Sequence, residues 1–189
     1  MKSLYKNYII YTDGSCKGGN EKSKDNAGAW AYEILLDGEV IAKDCEGEYR
    51  TTNNRMEMMA VLNAAEMVFR LSKNDPTATY TFNSDSSYVV NCWAKEWYKN
   101  WERNGWVNSK KAPVENEDLW RKIIPYFKNK SCLFYKVEGH STDVENNKMD
   151  DLAQTTAKRY LEKLKDMTVD EANNFWRQKK NDGTIFTGT

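Results

Sequence analysis

The sequence predicts an α/β fold with a mixed five-stranded sheet, three antiparallel strands followed by parallel ones, flanked by helices. Three observations lead there. The first fifty residues carry β-patterned segments, two of them joined by Asp37-Gly38, a two-residue hairpin signal. From Asn54 onward, segments of helical period alternate with short strands, the order that pairs strands in parallel through crossovers. The chain has 189 residues, of which 40% are hydrophobic, enough for one domain with a sizeable core.

Taken in order, Tyr8-Ile9-Ile10-Tyr11-Thr12 is β-branched and aromatic and reads as a strand ended by Asp13-Gly14. Residues 18–27 read as a loop rich in Gly, Asn, Lys and Asp. Residues 29–36 and 39–49 read as the two hairpin strands. Residues 54–71 repeat apolar side chains at helical spacing until Asn74-Asp75-Pro76 breaks the pattern. A short strand over 79–82 precedes a helix over 86–97, with a second short helix through Arg103. Asn104-Gly105 turns the chain into a polar, basic loop over 106–115, and 116–127 reads as a helix. A strand over 131–137, a loop over 139–147 and a helix over 149–164 close the expected domain, residues 1–164. In the extension, 165–189, Thr168-Val169-Asp170-Glu171 reads as a capping box before a short helix with Phe175 and Trp176, then a loose end.

Composition excludes several classes. No run of eighteen apolar residues exists to span a membrane, and Met1-Lys2-Ser3-Leu4-Tyr5-Lys6 lacks an apolar signal core. Cys16, Cys45, Cys92 and Cys132 are widely spaced and form no CxxC, which suggests reduced thiols and a cytoplasmic location. The 28 basic and 28 acidic residues cancel, so any affinity for nucleic acid must come from local charge.

Four carboxylates fall where strands end or helices begin: Asp13, Glu57 in the first turn of the first helix, Asp85, and Asp150 in the first turn of the last helix. Sites in α/β sheets form at such places. Converging acids raise one another's pKa, and divalent cations relieve the conflict. Each acid also has an ordinary structural role open to it: Asp13 as a turn residue, Glu57 completing a capping box with Asn54, Asp85 and Asp150 as helix caps.

The motifs around these acids resemble those of type-1 ribonucleases H of bacterial type. Tyr11-Thr12-Asp13-Gly14-Ser15-Cys16 is similar to the family's first motif, and Arg50-Thr51-Thr52-Asn53-Asn54-Arg55-Met56-Glu57 to its second. Ser84-Asp85-Ser86-Ser87-Tyr88-Val89 resembles the third. Gly139-His140 followed by Met149-Asp150-Asp151-Leu152-Ala153 resembles the last. The resemblance covers roughly residues 7–162 and implies the ribonuclease H-like fold. It implies endonucleolytic hydrolysis of the RNA strand of an RNA–DNA hybrid by two metal ions, leaving 5′-phosphate and 3′-hydroxyl ends. Asp13, Glu57, Asp85 and Asp150 are then the ligands of two Mg²⁺, with Mn²⁺ as a substitute, and His140 assists proton transfer or product release.

The same resemblance places Cys16, Asn53, Asn54 and Ser87 at the minor groove, where a 2′-hydroxyl marks RNA. Ser87 departs from the longer side chains familiar there. Arg50, Thr52 and Asn116 match a pocket for a DNA phosphate, and Tyr88, Trp97 and Trp101 an aromatic channel for deoxyribose. Positions 93, 97 and 101 also repeat as core positions would, but Lys95, Lys99, Arg103, Lys110 and Lys111 surround them, a mixture that suits nucleic acid. Glu96 and Glu102 dilute this basic handle. Residues 21–26 lengthen the loop after the first motif, so the asparagine usual there is either Asn20 or absent. A chain whose first strand begins this early is expected to lack an N-terminal hybrid-binding domain, and one with its own complete site is expected to act as a monomer. The rival readings are a DNA-acting nuclease or integrase of the same fold, a hybrid-binding module without catalysis, and a domain excised from a reverse transcriptase.

Overall fold

Short-range patterning places the strands, and two-sided burial arranges them. The computed structural model describes residues 6–19, 26–73, 75–128, 130–138, 143–168 and 171. Its elements are β1 (Asn7–Gly18), β2 (Asn26–Leu36), β3 (Glu39–Tyr49), α1 (Asn53–Leu71), β4 (Thr79–Ser84), α2 (Ser87–Ala94), α3 (Trp97–Arg103), α4 (Glu117–Phe127), β5 (Cys132–Lys136) and α5 (Val144–Asp166). The sheet order is β3-β2-β1-β4-β5. β1, β2 and β3 pair antiparallel, while β4 pairs in parallel with both β1 and β5. This is the expected mixed sheet. At its hairpin, Asp37 and Gly38 both take positive φ, 54° and 81°, as a type I′ turn requires.

β2 is buried along nearly its whole length because helices cover both faces. Trp30, Tyr32 and Ile34 join the core under α1, whereas Ala31 packs with Met149 and Ala153 of α5. A strand so placed reads as a continuous apolar run rather than an alternating one. Its exception, Glu33, is only 3% exposed, and its cross-strand neighbour Lys43 lies 3.2 Å away. On the α1 side, Phe82, which is fully buried, meets Phe127 edge-on at 5.0 Å and stacks on Phe134 at 5.1 Å. Truncating such a ring costs about 3–5 kcal/mol. On the other face, the Tyr160 ring of α5 lies against Gly47 of β3. A Cβ at position 47 would come within 2.3 Å of Tyr160 Cδ2. The Tyr160 hydroxyl donates to the carboxylate of the neighbouring Glu46.

Several boundaries differ from the sequence reading. β1 does not stop at Asp13 but continues to Gly18, paired with β2 throughout. β2 starts three residues early, at Asn26, so residues 26 and 27 are strand rather than loop. α2 stops at Ala94, where Lys95 and a left-handed Glu96 (φ 53°) break it before α3. α5 starts at Val144 because Asp143 caps it, accepting from the amides of Glu145 and Asn146, so residues 144–147 are helix rather than loop. The 106–115 loop is folded by Asn108, whose Oδ1 accepts from the amides of Lys110 and Ala112, and by a Val107–Pro113 bridge. In the extension, the capping exchange is present: the Thr168 amide donates to Glu171 and the Glu171 amide to Thr168 Oγ1. The helix expected around Phe175 and Trp176 lies outside the described residues.

Candidate active site

Parallel pairing of β1 with β4 ends at Thr12 and Ser84. The next residue on each strand is an acid, so Asp13 and Asp85 emerge side by side. Asp13 therefore sits mid-strand by its pairing with β2, and at a strand end only with respect to β4. Beside it, Gly14 lets the start of α1 press onto β1. A Cβ there would lie 2.2 Å from the Glu57 backbone nitrogen. Glu57 is the fifth residue of α1 and Asp150 the seventh of α5, so each stands in the second turn rather than the first.

The ordinary roles open to these acids are taken by other residues. Thr52 caps α1 by accepting from the Arg55 amide, Ser86 caps α2, and Asp143 caps α5. Asp13 accepts from the Gly14 amide at 2.6 Å, but within a strand and not a turn. Burial pushes the Asp13 carboxyl up to about 8; the charges of Asp85, Asp150 and Glu57 push the same way, against the Gly14 amide. Glu57 is also raised by burial and by Asp85, while bonds from Ser86 and Asn53 oppose the shift. The Asn53 amide donates to Glu57 Oε1 at 2.8 Å. The acids thus share one electrostatic neighbourhood, although among the described residues no three of His, Cys, Asp or Glu converge as a ready-made ligand group. Their donor chemistry, carboxylate oxygen without thiol or imidazole, fits a hard divalent cation. His140 lies outside the described residues.

The other expected contacts divide into two groups. Near the start of α1, Arg55 joins Thr52 to Asn116. Its amide is bonded by Thr52 Oγ1, its Nη1 reaches Asn116 Oδ1 at 3.4 Å, and its guanidinium grips both carboxylate oxygens of Asp118 at 3.2 and 3.0 Å. Arg50 is exposed and left-handed (φ 51°), and its amide donates to the Asn26 carbonyl. Cys16 Sγ approaches the Thr51 carbonyl at 3.7 Å. Asn54 is half-buried and Ser87 exposed. Farther along, Tyr88, Trp97 and Trp101 line a cleft of about 520 Å³ that none of the four acids lines. Trp97 is half-buried, but Trp101 is only 7% exposed and belongs to the core as well. Trp101 is thus a core residue that also lines the cleft. The Tyr88 hydroxyl donates to the Glu115 carbonyl and accepts from Trp120 Nε1, and burial pushes it up to about 12. Of the handle, Lys99 pairs with Glu96 and Lys95 stands over Trp97.

Three residues escaped the sequence reading. Asn26, fully buried, clamps the turn before α1: its Nδ2 donates to the Thr51 carbonyl at 3.0 Å and its Oδ1 accepts from the Thr51 amide at 2.9 Å. The available signal was an asparagine directly before a run of small and aromatic residues. Ser86 and Arg55 stand inside recognisable motifs, but the sequence assigns neither a role. Asn20, one of the two alternatives for the asparagine of the loop after the first motif, lies outside the described residues.

A ribonuclease H family model matches residues 5–158. Over 155 residues the chain is 40% identical to the ribonuclease H of Prosthecochloris aestuarii, covering 82% of this chain and 98% of that one. Among solved structures, LC9-RNase H1, a type 1 RNase H with the type 2 active-site motif, superposes with a TM-score of 0.69 at 24% identity, over 84% of this chain and 75% of that one. LC11-RNase H1, in complex with an RNA/DNA hybrid, superposes with a TM-score of 0.61 at 18% identity, over 82% and 99%. These two show the fold. The chain belongs to the ribonuclease H family.

Proposed function

We propose that this ribonuclease H cuts the RNA strand of an RNA–DNA hybrid at a site where Asp13, Glu57, Asp85 and Asp150 hold two Mg²⁺, with Mn²⁺ as a substitute. The observation that carries the assignment is the placement of Asp13, buried where β1 and β4 part and acted on by the charges of Asp85, Asp150 and Glu57, which with burial raise its carboxyl. Such a group favours a bound proton or a cation over an open negative charge. Held by these four carboxylates, divalent cations would supply positive charge for an attacking water and a leaving oxygen.

The protein's own side chains do the rest. Asn53 and Ser86 steady the Glu57 carboxylate, and in this reading Glu57 meets a ribose 2′-hydroxyl. Cys16, Asn54 and Ser87 flank the same groove, and His140 moves a proton or hastens product release. Arg50, Thr52 and Asn116 take a phosphate of the DNA strand, which positions the duplex without reading its sequence. Support for this lies in Arg55, which ties Thr52 and Asn116 together in advance. Tyr88, Trp97 and Trp101 receive deoxyribose in the aromatic cleft. The solved LC11-RNase H1 complex with an RNA/DNA hybrid favours the same substrate. The protein works as a cytoplasmic monomer; no helix among the described residues is long and apolar enough to cross a membrane.

The test is cleavage of a labelled hybrid in Mg²⁺ beside single-stranded RNA, duplex RNA and duplex DNA, with Asp85→Asn in parallel. RNA cut only in the hybrid, with 3′-hydroxyl ends and no cutting by the variant, is expected. Cutting of duplex DNA, or tight hybrid binding without any cutting, overturns the proposal.

A further inference from the structure

Asp150 is half-exposed on α5, so nothing in its burial alone settles which way its carboxylate faces. One turn later, Gln154 Nε2 donates to Asp150 Oδ1 at 2.7 Å. The other end of that amide is also engaged, since Lys17 Nζ donates to Gln154 Oε1 at 2.9 Å. Lys17 lies four residues beyond Asp13 on β1, and side chains on a strand alternate, so Asp13 and Lys17 share a face. The two acids are thus joined through one strand, one ammonium and one amide.

The chemistry of this chain has a direction. A glutamine amide can turn over and offer either oxygen or nitrogen. An ammonium only donates, so Lys17 fixes the amide oxygen toward itself and forces the nitrogen toward Asp150. Bonding to a cation also polarises the amide and strengthens its N–H as a donor. The insulating amide matters as much. Were Lys17 to reach Asp150 directly, it would neutralise the carboxylate and compete with any cation there. A neutral donor between them orients the acid and leaves its charge in place.

We propose that Gln154, held by Lys17, is a positioning residue for Asp150 and sets the affinity of the site for its divalent cation. This rests on the reading of Asp150 as a cation ligand. Residues that hydrogen-bond to metal ligands typically change metal affinity about 10- to 100-fold when removed.

The experiment uses the full chain and Mn²⁺ alone, with binding read by electron paramagnetic resonance without substrate, and Mg²⁺-dependent hybrid cleavage beside it. Asp150→Asn serves as control for the underlying reading, and thermal melts check folding. Gln154→Leu is expected to weaken Mn²⁺ binding about tenfold and to raise the Mg²⁺ needed for half-maximal cleavage equally, with KM for the hybrid unchanged at saturating Mg²⁺. Lys17→Met is expected to shift both in the same direction by about threefold, and the double variant to be no worse than Gln154→Leu. Wild-type Mn²⁺ affinity in Gln154→Leu, or strictly additive effects of the two changes, overturns the proposal. A raised KM with unchanged Mn²⁺ affinity also overturns it, because it would make Lys17 and Gln154 substrate contacts. If Asp150→Asn binds Mn²⁺ as the wild type does, the ligand reading itself has failed, a separate and recognisable result.

Discussion

The acid site and the aromatic cleft are built on opposite principles. At the cleft, the Tyr88 hydroxyl both donates and accepts within the protein, and the Trp97 and Trp101 rings that line it lie 6.3 Å apart. Around Asp13, burial and then neighbouring acid charge raise the proton affinity of Asp13 and Glu57, with the Gly14 amide, Asn53 and Ser86 as partial relief. One region is complete and offers a shape. The other gathers buried carboxyls under one another's charge. Binding and turnover should therefore separate when each region is damaged.

The largest separation is expected from Asp13→Asn, which removes a charge from the site and leaves the cleft intact. Cleavage in Mg²⁺ should fall by about 10³-fold or more, as when a central electrostatic group is lost. Hybrid affinity measured by filter binding should stay within about threefold. A variant that lost affinity and kept turnover would dissolve the distinction between the regions.

Inside the cleft, the two tryptophans sharpen the comparison. Trp101→Ala removes a ring that is only 7% exposed and should lower stability by about 3–5 kcal/mol in urea unfolding. Trp97 is half-buried, so Trp97→Ala should cost far less stability and instead raise the KM for hybrid by about tenfold, the loss of one stacked contact. Equal losses of stability would make both residues plain core.

Acidity gives a third contrast. Without cation, the folded protein holds a proton on Asp13 up to about pH 8, where the unfolded chain has already released it. Its contribution to stability is therefore present in acid and lost as pH rises from the ordinary carboxylate range to about 8. Melting temperatures in chelator should fall across that window, and Mg²⁺ should restore more at pH 8 than at pH 6 by binding the folded state. Melting that ignores Mg²⁺ at both values would remove the cation from this site. The smallest effect is expected from Arg55→Lys. Losing the two-pronged grip on Asp118 should cost about 1 kcal/mol and a few-fold in KM, with kcat unchanged.

How much of this was legible beforehand depends on the range of the forces involved. Strand and helix periods come from local burial, and they gave the sheet, its hairpin and the helices. The acids could be placed at element ends from the sequence, but that Asp13 and Asp85 are neighbours follows from where β1 and β4 part, a pairing of residues seventy-two positions apart. The start of α5 was misplaced because Val144 and Glu145 give no helical apolar signal, whereas Asp143 acts through its cap. Asn26 stayed hidden inside a polar stretch, since its value lies in reaching Thr51 across the sheet end. Gln154 and Lys17 could not be matched at all. Nothing about a glutamine on a helix and a lysine on a strand announces that they meet.

The contact between Gly47 and Tyr160 has a consequence for chemistry carried out elsewhere on α5. Ten residues separate Tyr160 from Asp150, about 15 Å of continuous helix at ~1.5 Å per residue. A helix that long moves as a rod. The flat seat at Gly47 is then the stop against which the rod is set, and the outer strand of the sheet serves as the datum for an acid at the far end. A methyl group at position 47 would act as a wedge, tilting the rod and retuning the distance between Asp150 and Asp13 without touching either. A glycine on the edge strand can thus help set where Asp150 lies.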